Sequence, residues 1–406
     1  MNTEGVLKKH MQHEQTKLWT KEFVILTLCN FLLFLQLHMI ISTLPAYVQG
    51  EFNANSFQVS LFTTLFALSA IIARIFAAKQ LEKGKRNSMI YFGILVALLA
   101  TLGYHFAAIM GTLLVLRMVF GVGFGMSSTA FPTMASDIIP VKRMGEGMGY
   151  FGLSTSLAMS IGPIVGLSLL NSYGFGLLTW STAIIIVVIV PLSYMLTSKK
   201  VKKPQPVSNP FAVPEKKGFN SALVIPSILN GLMAVSYGGL VGFIAIFGAE
   251  QGIANPALFF LFNAIAILLI RPIAGRIYDS KGHGALIIPG SILIIVGLVI
   301  LSFTSSTLSL FFAAFLFGLG YGSLQPTFQT WMIQVVHPSQ RGLANGMFLN
   351  TLDFGIAIGA LLLGIIASVT SYADMYRYSS LFIVLMLVIY VIYSRLAKQR
   401  AAVQEG

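Results

Sequence analysis

The chain has 406 residues, of which 56% are hydrophobic, 12% aromatic and only 10% charged. Soluble domains carry about a quarter charged residues, so this composition excludes a water-soluble globule, and the same poverty of charge excludes a disordered chain. The 26 Lys and Arg outnumber the 13 Asp and Glu, giving a net charge of +13. In a soluble protein that balance would suggest nucleic acid. Here the basic residues lie in short segments between long apolar runs, so no nucleic-acid partner is expected and the charge reads as membrane topology.

The first apolar run begins near Phe23 and is too long for the apolar core of a cleavable signal. A membrane-crossing helix needs about 20 mostly apolar residues to pass about 30 Å of hydrocarbon. Twelve such spans are expected, at 22–48, 57–79, 87–105, 109–136, 144–171, 175–197, 220–249, 256–279, 284–304, 307–336, 341–369 and 374–396. Helix is the form expected, because lipid cannot satisfy backbone polar groups. The single cysteine, Cys29, lies inside the first span, which excludes an intramolecular disulfide and a zinc site built on cysteines. With both termini cytoplasmic, the inner segments hold 22 Lys and Arg and the outer loops hold one, Arg377. A miscount by one span would scramble that asymmetry.

In chain order, a cytoplasmic tail (1–21) leads into span 1, which carries the polar residues Asn30, Gln36 and His38. Spans 2, 4 and 8 each contain one arginine, Arg74, Arg117 and Arg271. A charge at the bilayer centre costs about 2.5–3.5 kcal/mol on insertion scales, so Arg117 requires a partner, carbonyl hydrogen bonds or a wet cavity. Pro163 removes a helix hydrogen bond and is expected to kink span 5. Residues 198–219 form a basic linker with several prolines, which divides a bundle at 22–197 from one at 220–396, with a cytoplasmic tail at 397–406. Asn230 and Tyr237 in span 7, Asn263 in span 8, Gln325, Gln329 and Trp331 in span 10, and Asn350 in span 11 are polar groups in hydrocarbon. Each must face a cavity or hydrogen-bond another helix. Asp353 in span 11 is the acid placed deepest in a span. Helical rise puts it about 18 Å beyond Arg341, His38 about 24 Å beyond Glu22, and Arg117 about 12 Å from the outer end of span 4. All three therefore fall near the midplane. Asp353 and His38 are candidates for a proton or substrate site, against a role in helix packing.

The two halves repeat. Arg74 and Arg271 are separated by an offset of 197, and so are Gly121, Gly123 and Gly125 from Gly318, Gly320 and Gly322, and Gly149 from Gly346. The glycines lie inside apolar helices with no preceding strand, so they are expected to pack helices and not to cradle phosphate. Two six-helix halves in the same membrane orientation make an all-α integral membrane protein with pseudo-symmetry about the membrane normal.

At this point the sequence resembles the major facilitator superfamily. Gly275-Arg276-Ile277-Tyr278-Asp279-Ser280-Lys281-Gly282-His283 is similar to that family's cytoplasmic signature, with His283 in the final basic position. The first-half copy departs from it, with Ala78 for the first glycine, Glu82 for the acid and Gly84 one residue early. Leu116-Arg117 followed by Gly121 and Gly123 resembles the family's buried-arginine motif, with Phe120 at its polar position. Gly149, Gly162, Pro163 and Gly166 resemble a motif associated with drug–proton antiporters, with Ala158 and Leu167 departing. The resemblance implies a monomeric, cofactor-free, non-enzymatic carrier in a bacterial plasma membrane. It would export a small organic solute in exchange for protons by alternating access, through a cavity that Asn30, Gln36, Asn230, Tyr237, Asn263, Gln325, Gln329 and Asn350 are candidates to line. The solute is either drug-like or an endogenous polar metabolite such as a metallophore. A proton-coupled importer and a non-transporting membrane sensor are the other readings. An inner latch is expected in which Asp279, with Gly275, Arg276 and Gly282, faces the start of span 5 near Arg143. By the repeat, Glu82 would face the start of span 11 near Arg341.

Overall fold

The structure, a computed structural model, describes residues 17–54, 56–197, 220–253, 255–256 and 258–405. The expected linker and most of the amino-terminal tail lie outside these residues. The apolar runs form helices throughout: α1 (Lys21–Phe52), α2 (Ser56–Glu82), α3 (Arg86–Tyr104), α4 (Met110–Ile138), α5 (144–173), α6 (175–197), α7 (Val224–Glu250), α8 (Leu258–Lys281), α9 (Gly284–Ser302), α10 (Thr307–Gln334), α11 (Arg341–Val369) and α12 (Tyr372–Glu405). Among the described residues, eleven helical segments are long and apolar enough to cross a membrane. One of them contains both α5 and α6, broken at Gly174 (φ 82°, ψ 176°). That break gives the twelve crossings expected. The backbone keeps helical angles through Pro163, and the break falls at Gly174, in the expected gap between spans 5 and 6, where a left-handed φ is free of steric cost only for glycine. The stretch expected as a carboxy-terminal tail continues α12 as helix to Glu405.

The ends of the helices follow local rules. Thr20 caps α1 by accepting from the Phe23 N–H (3.2 Å), and Ser306 and Ser309 cap α10 reciprocally. Gly84 (φ 77°) and Gly282 (φ 75°) occupy the turns that follow α2 and α8. The one-residue offset of Gly84 in the first signature copy therefore leaves its conformational role intact.

The chain divides into two compact units, residues 1–216 with 336–346, and 217–335 with 347–406. Helix α11 thus begins in the first unit and continues in the second.

Within the first unit, α4 lies against α2 and α3. A Cβ on Gly121 would meet the Phe66 carbonyl oxygen at 2.7 Å, and one on Gly123 would meet the Gly93 carbonyl oxygen at 2.5 Å. Within the second unit, α10 lies against α8 and α9 with the same register. A Cβ on Gly318 would meet the Asn263 carbonyl oxygen at 2.7 Å, and one on Gly320 would meet the Gly290 carbonyl oxygen at 2.5 Å. Each contact in one unit maps onto its counterpart through the offset of 197. The repeated glycines are where helix backbones approach too closely for a side chain, and van der Waals packing holds helices together in lipid.

Candidate functional site

In the second unit, four helices bring polar groups to one place. Arg271 of α8 is 1% exposed. It sits ten residues before Lys281, about 15 Å along the helix. Its Nη2 donates to Oε1 of Gln325 on α10. Its Nε and Nη1 have no hydrogen-bond partner among the described residues. Tyr321, one turn before Gln325 on α10, stacks on Tyr237 of α7 (ring centroids 4.6 Å, interplanar 18°). Phe317, one turn further back, continues the stack at 5.8 Å. Asp353 of α11 is half-buried, and Tyr321 is close enough to both Arg271 and Asp353 for their charges to interact.

Asn230 fixes the register of α7 against α11. Its side-chain amide donates to the Phe348 carbonyl (3.0 Å) and to the Thr351 hydroxyl (2.8 Å), two residues from Asp353. Asn263 lies two turns before Arg271 on α8, buried against Gly318. Gln329 is buried one turn after Gln325, and Asn350 is half-buried on α11. Of the residues singled out in the sequence, Asp353, Tyr237 and Gln325 come together here. Arg271 and Tyr321 join them and were not singled out as site residues. The signal that could have found Arg271 was its apolar helix context, the same signal that drew attention to Arg117.

The first unit holds His38 and Arg117, so neither shares a unit with Asp353. Arg117 is 1% exposed, and its guanidinium lies over the rings of Phe66 (4.4 Å to the centroid) and Phe120 (5.3 Å), beside Tyr104. The rings form an aromatic enclosure in which their quadrupoles stabilise the cation. Phe120, the departure from the motif's polar residue, supplies one of those rings. His38 is half-buried and stacks loosely on Phe34 (6.4 Å). Gly162 lets α1 approach closely here, since a Cβ on it would meet the His38 Cβ at 2.6 Å. Gly166 does the same at Met39 (Cα 2.8 Å), and Pro163 stands between the two glycines. The antiporter-like motif is thus the surface on which α1 packs. Gly149 is buried earlier in α5. Asn30 bonds Ser154 (2.8 Å) and Thr155 (3.0 Å) on α5, the counterpart of Asn230 on α11. Gln36 donates to the Leu33 carbonyl of its own helix (3.0 Å), and its Oε1 is buried without a hydrogen-bond partner among the described residues.

The expected latch takes a different form in the first unit. Arg341, at the start of α11, donates to the Ser136 carbonyl (2.7 Å) and to Asp137 Oδ1 (3.2 Å). Arg86 pairs with Asp137 Oδ2 at 2.7 Å. The Asp137 side chain is 4% exposed between the two arginines. Arg341 engages α4, and Gly342 lies against Leu81, the neighbour of Glu82 on α2, where an added Cβ would meet the Leu81 Cβ at 2.8 Å. Arg143 pairs with Glu146 at 2.7 Å. In the second unit, Gly275 is buried, Arg276 is exposed and Asp279 is half-buried in the last turn of α8.

His283, expected as a basic position, stacks flat on Trp331 (4.2 Å, 13°), and its Nδ1 lies 3.0 Å from the Tyr390 hydroxyl. Burial lowers its pKa from 6.5, so it adds no fixed positive charge to the turn. Trp331 belongs to this box and not to the polar cluster around Arg271.

Residues 26–360 and 258–405 match the family model described as Major Facilitator Superfamily. The chain is 22% identical over 373 residues (89% of this chain, 95% of the relative) to an uncharacterised MFS-type transporter of Methanocaldococcus jannaschii. It is 20% identical over 353 residues (83% and 87%) to the staphylopine export protein of Staphylococcus aureus. It is 23% identical over 341 residues (78% and 80%) to the multidrug resistance protein MdtG of Escherichia coli. Its fold is similar to that of the transporter FucP in the outward conformation, with a TM-score of 0.76, 14% identity and coverage of 92% of this chain and 98% of that one.

Proposed function

Because the chain belongs to the Major Facilitator Superfamily and is a membrane transporter, we propose that it exports a small polar organic solute across the plasma membrane in exchange for protons, by alternating access. The observation that carries this reading is the polar cluster of the second unit, Arg271, Gln325, Tyr321, Tyr237 and Asp353, on four apolar helices. A guanidinium and a carboxylate in hydrocarbon are costly, and are retained in membrane proteins chiefly where they act. In this account Asp353 carries the proton. A proton and a donor group of the solute compete for its carboxylate, and that competition couples their movements in opposite directions. Export is favoured over import by the antiporter-like motif at Gly149, Gly162, Pro163 and Gly166, and by relatives named for export and drug resistance. The amides and tyrosines favour a polar solute over a greasy cation.

The energetics suffice. A membrane potential of 100 mV is worth about 2.3 kcal/mol per charge, or about a fifty-fold solute gradient at 1.4 kcal/mol per decade. The test is proton-driven flux in inverted vesicles, with cationic dyes and polar chelating solutes offered side by side. Movement of a polar solute with proton release supports the proposal. Flux confined to the dyes contradicts the polar assignment, and no flux of any solute contradicts proton-driven export.

A further inference from the structure

The surroundings of the Arg271 guanidinium differ from those of Arg86, Arg341 and Arg117. Arg86 and Arg341 are neutralised by hydrogen bonds to Asp137. Arg117 also has Nε and Nη1 without hydrogen-bond partners among the described residues, but two phenylalanine rings cover it. Arg271 is as deeply buried as Arg117, yet its hydrogen-bond partner is the neutral Gln325, and no ring stacks on it among the described residues. Its Nε and Nη1 are buried without hydrogen-bond partners among the described residues.

The geometry of arginine makes this specific. Nη2 carries two hydrogens, and one goes to Gln325. The other pairs with the Nε hydrogen on one edge of the guanidinium or with an Nη1 hydrogen on the other. Whichever hydrogen Gln325 takes, one complete two-donor edge is left without a hydrogen-bond partner among the described residues. Such an edge matches a carboxylate bidentately.

The repeat separates what the fold requires from what it does not. Arg74, the counterpart of Arg271 at the offset of 197, is also buried (2% exposed). The surroundings do not recur. Tyr321, Gln325 and Asp353 correspond to Phe124, Ser128 and Ser156. Tyr321 is near the arginine and carries Tyr237 stacked on its ring, and Gln325 and Asp353 are half-buried.

We propose that Arg271, with Gln325, Tyr321 and Tyr237, forms an oxyanion subsite that takes the carboxylate of the transported solute. This rests on the export reading above and assigns its solute a chemical class. The carboxylate fills that edge of Arg271, the tyrosine hydroxyls hydrogen-bond its oxygens, and the stacked rings flank the carbon skeleton. Asp353 is near enough to Tyr321 for its charge to act there, and it takes a donor group of the same solute.

The test is ligand-dependent thermal unfolding of the purified full-length protein in detergent, with benzoate, benzamide and phenyl phosphate as probes. A ligand that binds the folded state raises the unfolding midpoint with concentration. Benzoate should raise it, and benzamide and phenyl phosphate should not. Arg271→Gln should weaken benzoate at least tenfold. Gln325→Glu supplies an internal carboxylate to Arg271, so it should abolish the benzoate response while keeping the protein folded, which covers the case in which Arg271→Gln does not fold. Equal responses to benzoate and benzamide, a stronger response to phenyl phosphate, no benzoate response in the wild type, or a full benzoate response in Gln325→Glu would each overturn the assignment. No proton gradient is present in this assay. Carboxylate binding without proton-driven flux sinks the export reading and leaves the subsite standing, whereas flux without carboxylate binding does the reverse.

Discussion

Asp137→Asn should release the start of α11 from the first unit. The carboxylate accepts from Arg86 at 2.7 Å and from Arg341 at 3.2 Å, and its side chain is 4% exposed. The arginines are 23% and 13% exposed, so water screens them in part. Breaking a fully buried pair costs about 3–5 kcal/mol and an exposed one about 0.2–1, which places this change near 2 kcal/mol. At 1.4 kcal/mol per decade that is about a thirty-fold shift in the docking equilibrium. The remaining contacts, Arg341 on the Ser136 carbonyl and Gly342 on Leu81, keep the segment from leaving altogether. The assay is amide hydrogen exchange. Protection of residues 341–346 should fall by about that factor, while the amides of α7 to α9 keep theirs. Unchanged protection at 341–346, or a uniform loss across the chain, would refute the reasoning. The exposed pair Arg377–Asp374 is the control, and Asp374→Asn should alter nothing measurable.

Gly123→Leu and Gly320→Leu should each prevent assembly of their own unit, because even a Cβ would stand 2.5 Å from a carbonyl oxygen of the facing helix. Overpacking a tight site costs about 1–3 kcal/mol or more, so the yield of monodisperse protein should collapse, while Gly50→Ala, with nothing within 4 Å, should leave it unchanged. His283 should make the protein less stable in acid. Its pKa is lowered by burial when folded, so between that value and 6.5 the unfolded chain binds the extra proton, and the stability present above pH 6.5 is lost as pH falls. Thermal unfolding of His283→Gln across that range should show a flatter pH dependence than the wild type, and equal slopes would contradict it.

The helices were legible because lipid leaves a chain few options: long apolar runs, punctuated by basic loops, have to be spanning helices. The recurrence of Gly121, Gly123 and Gly125 at one offset announced the helix contacts that the structure contains, down to Phe66 matching Asn263. The break at Gly174 coincided with the expected gap between two spans. What stayed hidden depended on partners far apart in the chain. Asp137 falls just past the expected end of span 4 and drew no attention there, because its arginines lie 51 and 204 positions away. The enclosure of Arg117 needed Phe66 from another helix, and the edge of Arg271 that no described residue fills emerges only once α7, α8, α10 and α11 are side by side. His283 matched a basic position by residue type, while its charge is set by Trp331 and Tyr390, which no local pattern reveals.

Coupling itself is tested most directly by Asp353→Asn in reconstituted vesicles, with solute movement followed in two ways. One is exchange of labelled for unlabelled solute with no gradient, and the other is accumulation driven by an imposed pH difference. The account predicts that the variant keeps the exchange and loses the accumulation. Accumulation at the wild-type level by Asp353→Asn would contradict it.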